Sequence, residues 1–169
     1  MYWKYTETKN KEGDENVPVH MRAVVQRVKS ASVKVDENVI GSIAHGILLL
    51  LGIEETDEEK DLEYMCDKVP NLRIFEDENG KMNRSLLDVG GSILVISQFT
   101  LLGDARKGRR PSFIAAAQPD KAIPMYEKYI AEMKKRNIFT QTGEFGADMK
   151  VELINDGPVT ILLDSKKVF

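Results

Sequence analysis

Two short strings in this 169-residue chain carry the groups from which a small active site could be built. Ser97-Gln98-Phe99-Thr100-Leu101 closes the apolar run Ile93 to Ile96, and Asn155-Asp156-Gly157-Pro158-Val159-Thr160 closes the alternating run Met149 to Ile154. Both sit where a strand should end. There a fold can hold amides, carbonyls and one hydroxyl around a small ligand, because the strands fix them and the open ends admit it. Taken alone, the second string is ordinary turn chemistry: Gly tolerates positive φ, and Pro fixes its own φ and lacks a donor. Thr100 and Phe99 taken alone are a β-branched and an aromatic residue at home in a strand.

Conventional catalytic groups are scarce. Cys66 is the only cysteine and His20 and His45 the only histidines, so no zinc site of the usual Cys/His kind can be assembled and a nucleophilic triad would have to rest on His45. His45 lies in Ala44-His45-Gly46, where a turn histidine is the plain reading. A hydrolase built from this chain must move protons with a carboxylate, with water held by backbone groups, or with the substrate itself. No cofactor and no metal is called for. A lone cysteine on the apolar side of an expected helix excludes an intrachain disulfide and suits a reducing, cytoplasmic setting.

The net charge of -3 argues against a protein that coats nucleic acid through bulk electrostatics. It leaves room for a local patch, and Arg106, Lys107, Arg109 and Arg110 supply one, interrupted by Gly108 and followed by Pro111. Those breakers exclude a helix interior and point to a basic loop. Such a loop contacts phosphates or is merely solvated.

The elements that must position these groups follow from periodicity. Strand patterns occupy Arg22 to Val28, Ala31 to Val35, Val39 to Ile43 and Ile47 to Ile53, with turn signals at Asp36-Glu37-Asn38 and His45-Gly46. The run Ile47 to Leu51 is far shorter than the ~20 residues of a membrane span and reads as a strand buried on both faces. Capping-box spacing at Thr56 to Glu59, then Leu62, Met65, Cys66 and Val69, predicts a helix from about Asp57 to Val69, ended by Pro70. A strand near Leu72 to Glu76, a turn at Asp77 to Gly80 and a strand at Ser92 to Leu101 follow. A second helix is expected over Pro119 to Arg136, and strands at Phe139 to Thr142, Met149 to Ile154 and Val159 to Asp164 finish the chain. With 42% hydrophobic and 30% charged residues, this is one globular domain large enough to need no disulfide or metal. Residues 1–20 mix charges without period and carry no signal-peptide pattern, whereas Met21 opens directly into a strand. They read as a leader or a disordered extension, leaving 21–169 as the domain. Short neighbouring hairpins with two segregated helices argue for an α+β fold on mostly antiparallel sheet.

Together the two strings resemble the signature of the D-aminoacyl-tRNA deacylases. The likeness runs from Met21 to about Phe169 and includes Gln26-Arg27-Val28, Lys107-Gly108-Arg109-Arg110-Pro111-Ser112-Phe113, and Gly143 to Met149, in the family's order. It implies a barrel-like fold, a homodimer, aminoacylated tRNA as partner, no membrane association, and hydrolysis of the ester of D-aminoacyl-tRNA and of mischarged glycyl-tRNA. By the same resemblance Ser97, Gln98, Phe99 and Thr100 line the reaction pocket, where Thr100 positions groups and the ribose 2′-hydroxyl assists the attack. Gly157-Pro158, with a cis peptide bond and held by Arg27, enters the partner's site and excludes L-amino acids. Phe145, Gly146 and Met149 receive the terminal adenosine, and Phe113, Lys107, Arg109 and Arg110 contact the tRNA. On the residues alone two rivals stand: a non-catalytic RNA-binding module using the basic loop, and a hydrolase of another ester with Thr100 as nucleophile.

Overall fold

The computed structural model describes residues 20–169, so the expected leader lies outside the described residues apart from His20. The first strand, β1 (Arg22–Val35), is continuous where two strands were expected, because it changes partners instead of stopping. Its first half pairs antiparallel with β3 (Gly46–Gly52) and its second half with β2 (Asn38–Ile43). The opposite edge of β1 is covered along its length by β8 (Lys150–Asp164). The expected turn at Asp36 and Glu37 is present, both residues having positive φ, as a two-residue hairpin turn demands.

Two runs carry the centre of the sheet. β6 (Ser92–Ser97) lies parallel to β3, and β7 (Thr140–Thr142) parallel to β6. The sheet is therefore mixed: the pairings of β1 are antiparallel, while the crossovers through the helices make the other two parallel. β2 comes round against β7, where a Cβ on Gly41 would stand 2.7 Å from the Thr142 carbonyl oxygen, so the sheet is nearly closed and barrel-like. On β3 and β6 both faces are buried. Ile47, Leu49, Leu51, Ile93 and Val95 face the helices, and Leu48, Leu94 and Ile96 fill the barrel with Val28, Ala31 and Val33. On β1 the core-facing residues change from Ala23 and Val25 to Val28, then to Ala31 and Val33, because irregularities on either side of Val28 shift the alternation.

Helix α1 (Glu59–Asn71) starts later than expected: Glu58 is its N-cap, in a capping box with Asp61, while Thr56 donates its amide and hydroxyl to the Glu54 carboxylate. Pro70 lies inside the last turn and the helix stops one residue beyond it, with the Leu72 amide bonding back to Val69. A hairpin of β4 (Phe75–Glu76) and β5 (Met82–Arg84) and a one-turn helix α2 (Leu86–Val89), neither β5 nor α2 expected, lead into β6. Helix α3 (Pro119–Lys135) matches its expectation. Pro119 opens the helix, and Ala122, Tyr126, Tyr129 and Met133 form the face buried on the sheet.

Both strings depart from expectation. The strand expected to reach Leu101 ends at Ser97, and Phe99–Leu102 coils into a 3-10 turn, so Thr100 is not a strand residue. The expected turn at Asn155 to Thr160 is not a chain reversal: β8 runs through it. Gln26 faces Thr160 and Val28 faces Asn155, so the four residues Asp156 to Val159 bulge out opposite Arg27.

Candidate active site

The first half of the site forms where β6 and β7 end side by side. The Gln98 amide donates to the Leu51 carbonyl at 2.8 Å, which anchors the turn that follows to the end of β3. From there Thr100 is carried to the exposed surface, with its hydroxyl accepting a hydrogen bond from the Gln98 side chain. Phe99 is half-buried and meets Phe113 edge to face, ring centroids 5.3 Å apart at 71°. Beneath this, the Val95 carbonyl accepts both the Tyr126 hydroxyl at 2.7 Å and the Gly143 amide at 3.3 Å. Burial pushes the Tyr126 phenol up to about 12, so it is a fixed donor at neutral pH. Tyr126 lies on the buried face of α3, and its link to this wall of the site has no signal in the sequence.

Gly143 to Met149 lies against the same wall. A Cβ on Gly143 would stand 2.5 Å from the Met149 sulfur and 3.2 Å from Ile96 Cδ1, so glycine lets the loop close on the strand end. Phe145 packs on the helix-side core, its ring 6.4 Å from that of Tyr126. Gly146 has φ +75°, a conformation that favours glycine. The structure thus gathers Ser97 to Thr100, Phe113, Phe145, Gly146 and Met149 at one end of the sheet. Lys107, Arg109 and Arg110 are exposed on the loop leading to Phe113, and in that loop Arg106 is forked onto Asp104. This ion pair holds the Asp104 carboxyl well below the usual range.

The second half is the bulge on β8. Arg27, almost wholly buried, donates to the Asp156 carbonyl at 2.8 Å and the Ile74 carbonyl at 2.7 Å. Its charge is met by Asp156 at 3.4 Å and Glu76 at 3.9 Å. Asn155 closes the base of the bulge, donating to the Arg27 carbonyl at 3.0 Å and the Val159 carbonyl at 3.1 Å. The tip is Gly157-Pro158, exposed and with a cis peptide bond. Asn155 and Asp156 were expected only as turn formers; their habit of bonding local backbone was the available signal. His45 also belongs here, its Nε2 3.9 Å from Asp156 and its ring edge-on to Phe75, on a cavity of about 180 Å³ lined by Arg27, Glu76 and Val89 as well.

The two halves are not brought together within one chain. Arg27 faces Ile47, whereas Gln98 is anchored at Leu51, four residues further along β3, a separation of ~13 Å along the strand. The histidines are equally remote from a triad with Thr100: His45 stands by Asp156, and His20 by Asp57 and Asp61. Among the described residues no helix is long and apolar enough to cross a membrane.

The geometry has clear relatives. The sequence model of the family described as D-Tyr-tRNA(Tyr) deacylase matches residues 24–164. Proteins named D-aminoacyl-tRNA deacylase from Clostridium botulinum (strain Loch Maree / Type A3) and Thermosipho africanus (strain TCF52B) are 62% and 57% identical over 149 residues, 88% of this chain and 100% of theirs. A solved structure described as a c-Myc DNA unwinding element binding protein superposes with a TM-score of 0.79 at 44% identity, covering 84% of this chain and 97% of that one. A probable eukaryotic D-amino acid tRNA deacylase shares the fold with a TM-score of 0.73 at 16% identity, covering 85% and 98%. The chain belongs to the D-aminoacyl-tRNA deacylases, hydrolases of the ester that joins a D-amino acid to tRNA.

Proposed function

We propose that this deacylase works as a homodimer in which each reaction pocket, formed by Ser97 to Thr100 of one copy, is completed by Gly157-Pro158 of the other. The observation that carries the reading is the separation of the two halves along β3, each ending on exposed backbone. An aminoacyl ester is already activated, so the pocket needs to position water and stabilise the oxyanion rather than supply a strong base. Backbone amides of the 3-10 turn and the Thr100 hydroxyl, steadied by Gln98, take that role. Water attacks the ester carbonyl with the ribose 2′-hydroxyl assisting, the bond to the 3′-oxygen breaks, and that oxygen leaves with a proton. Free D-amino acid and tRNA are the products.

Gly157-Pro158, clamped by Arg27 and Asn155, stands against the Cα of the bound amino acid. It excludes a side chain on the L side and passes hydrogen. Glycine, with hydrogen on both sides, passes too, so mischarged glycyl-tRNA is a substrate. Because the filter is made of main-chain atoms, it reads chirality and ignores the identity of a D side chain. Phe145, Gly146 and Met149 receive the terminal adenosine, for which stacking contributes roughly 1–3 kcal/mol per base. Phe113, Lys107, Arg109 and Arg110 meet the acceptor-end backbone, in a cytoplasmic enzyme acting on aminoacylated tRNA.

The test is to follow D-tyrosyl-, L-tyrosyl- and glycyl-tRNA side by side with chelator-treated protein of measured molar mass. Rapid loss of the D and glycyl esters by a dimer, with the L ester intact, supports the reading. Loss of the L ester as well removes the filter, and full activity of a monomer removes the shared site.

A further inference from the structure

The deacylase site leaves unused a buried acidic pair at the start of α1. Asp57 accepts the Met21 amide on Oδ1 at 2.9 Å and the Glu54 amide on Oδ2 at 2.8 Å, and its side chain is wholly buried. Asp61 accepts the Glu58 amide at 2.8 Å and the Ser165 hydroxyl at 2.6 Å. Two carboxylates so placed call for a cation. The groups facing them are Glu54, of the wrong sign, Lys166 near Asp61, and His20. His20 Nδ1 lies 3.5 Å from Asp57 and 3.9 Å from Asp61, yet it is buried without a hydrogen-bond partner. Burial pushes the Asp57 carboxyl up to about 7, with no cation among the groups acting on it. An acid pair held by amides beside an unsatisfied imidazole is a poor fit.

One change repairs it. The Met21 nitrogen is already in hydrogen-bond contact with Asp57, Met21 is fully buried, and its carbonyl accepts the Ser165 amide at 3.0 Å. Were this nitrogen an α-ammonium, it would bring three donors and a positive charge to the same point, with a basicity ordinarily near 7.7–8.0 and raised by the carboxylates. His20 would be absent, and its place beside Asp61 open to the new donors. The curated relatives are matched over their whole length by 149 residues, the length of Met21 to Phe169.

We infer that the working form of this protein has its amino terminus at Met21, and that the α-ammonium there is the counter-ion of Asp57 and Asp61. The methionine lets translation itself supply that terminus.

Two measurements test the inference. The first is the intact mass of the protein produced from its own gene with the upstream sequence in place: a chain beginning at Met21 is expected, and recovery of a chain that retains residues before Met21 overturns the proposal. The second compares Asp57→Asn in the full chain and in the chain beginning at Met21, which corresponds to the entire relatives. In both chains it costs the hydrogen bond from one of the two buried amides that Asp57 accepts; in the short chain it also removes a charge partner and lowers Tm by about 5–10 °C more than in the full chain. Equal losses in the two chains overturn the counter-ion role. A readout without a variant is acylation of the Met21 amine at near-neutral pH: in the folded short chain it resists labelling, and rapid labelling refutes the pairing.

Discussion

Gly157 shows how one missing atom shapes the site. A Cβ there would stand 2.3 Å from Asn155 Oδ1 and 2.7 Å from the Val159 amide nitrogen, and Asn155 is the residue that closes the bulge. Gly157→Ala must therefore push the tip out of place. Its expected effect is hydrolysis of L-tyrosyl-tRNA at a rate approaching that of the D ester, with the D rate changed little; a variant that still spares the L ester would refute the filter. Thr100 makes a second prediction. As a positioning group its replacement by Ala should lower kcat on D-tyrosyl-tRNA by roughly 10²-fold, with Thr100→Ser keeping most activity. Acid-quenched mass spectrometry during turnover should show no acyl-enzyme, and a trapped ester on Thr100 would restore the nucleophile reading. Both residues were named from the sequence. The supporting roles of Tyr126 under the wall and Asn155 under the bulge were not legible there, because they depend on the carbonyls of Val95 and Arg27, brought in from other strands.

At the scale of elements, the approach to α1 titrates. Asp57 has a folded-state pKa raised to about 7 from an ordinary 3.8, chiefly by burial. The native 169-residue chain thus binds that proton more tightly than the unfolded chain does. The resulting stability is fully present below the unfolded value and is lost as pH rises through about 7. Thermal melts of this chain should show Tm falling between about pH 4 and pH 7 and levelling off above that, a slope flattened in Asp57→Asn; an unflattened slope would place the titration elsewhere. In a chain beginning at Met21 the ammonium removes the cause, and the slope should be weak there too. Elements also explain where sequence reading slipped. The apolar run at Ile93 to Ile96 announces β6, but its end at Ser97 depends on the Gln98 amide reaching Leu51 and coiling the following residues. Likewise β8 reads as two strands because Gly157-Pro158 breaks the pattern, while the long partner β1 keeps both halves in one ladder.

At the scale of the whole molecule, a site shared between copies predicts an asymmetric rescue. Co-expressing a Thr100→Ala chain with a Gly157→Ala chain yields heterodimers with one doubly altered site and one site in which both contributions are native. The purified heterodimer should hydrolyse the D ester at about half the native rate and leave the L ester intact. Persistent hydrolysis of the L ester by that heterodimer would show that pocket and filter come from the same chain. The basic loop belongs to this scale as well, since the exposed Lys107, Arg109 and Arg110 ride on a loop whose ends are joined by the Asp104–Ser112 bridge and tied to the 3-10 turn by Phe113 on Phe99.

By itself the sequence determined the two long helices, the strands buried on both faces, and the two strings proposed to carry the chemistry. These follow from hydrophobic period and residue type, which act over a few neighbours. Tertiary structure decided the parallel pairing of β3 with β6, the 3-10 turn that exposes Thr100, the bulge that lifts Gly157-Pro158 from β8, and the distance between the two halves. Each of those is set by hydrogen bonds and contacts between segments far apart in the chain, such as Arg27 with Asp156 and Gln98 with Leu51, and local pattern carries no record of them.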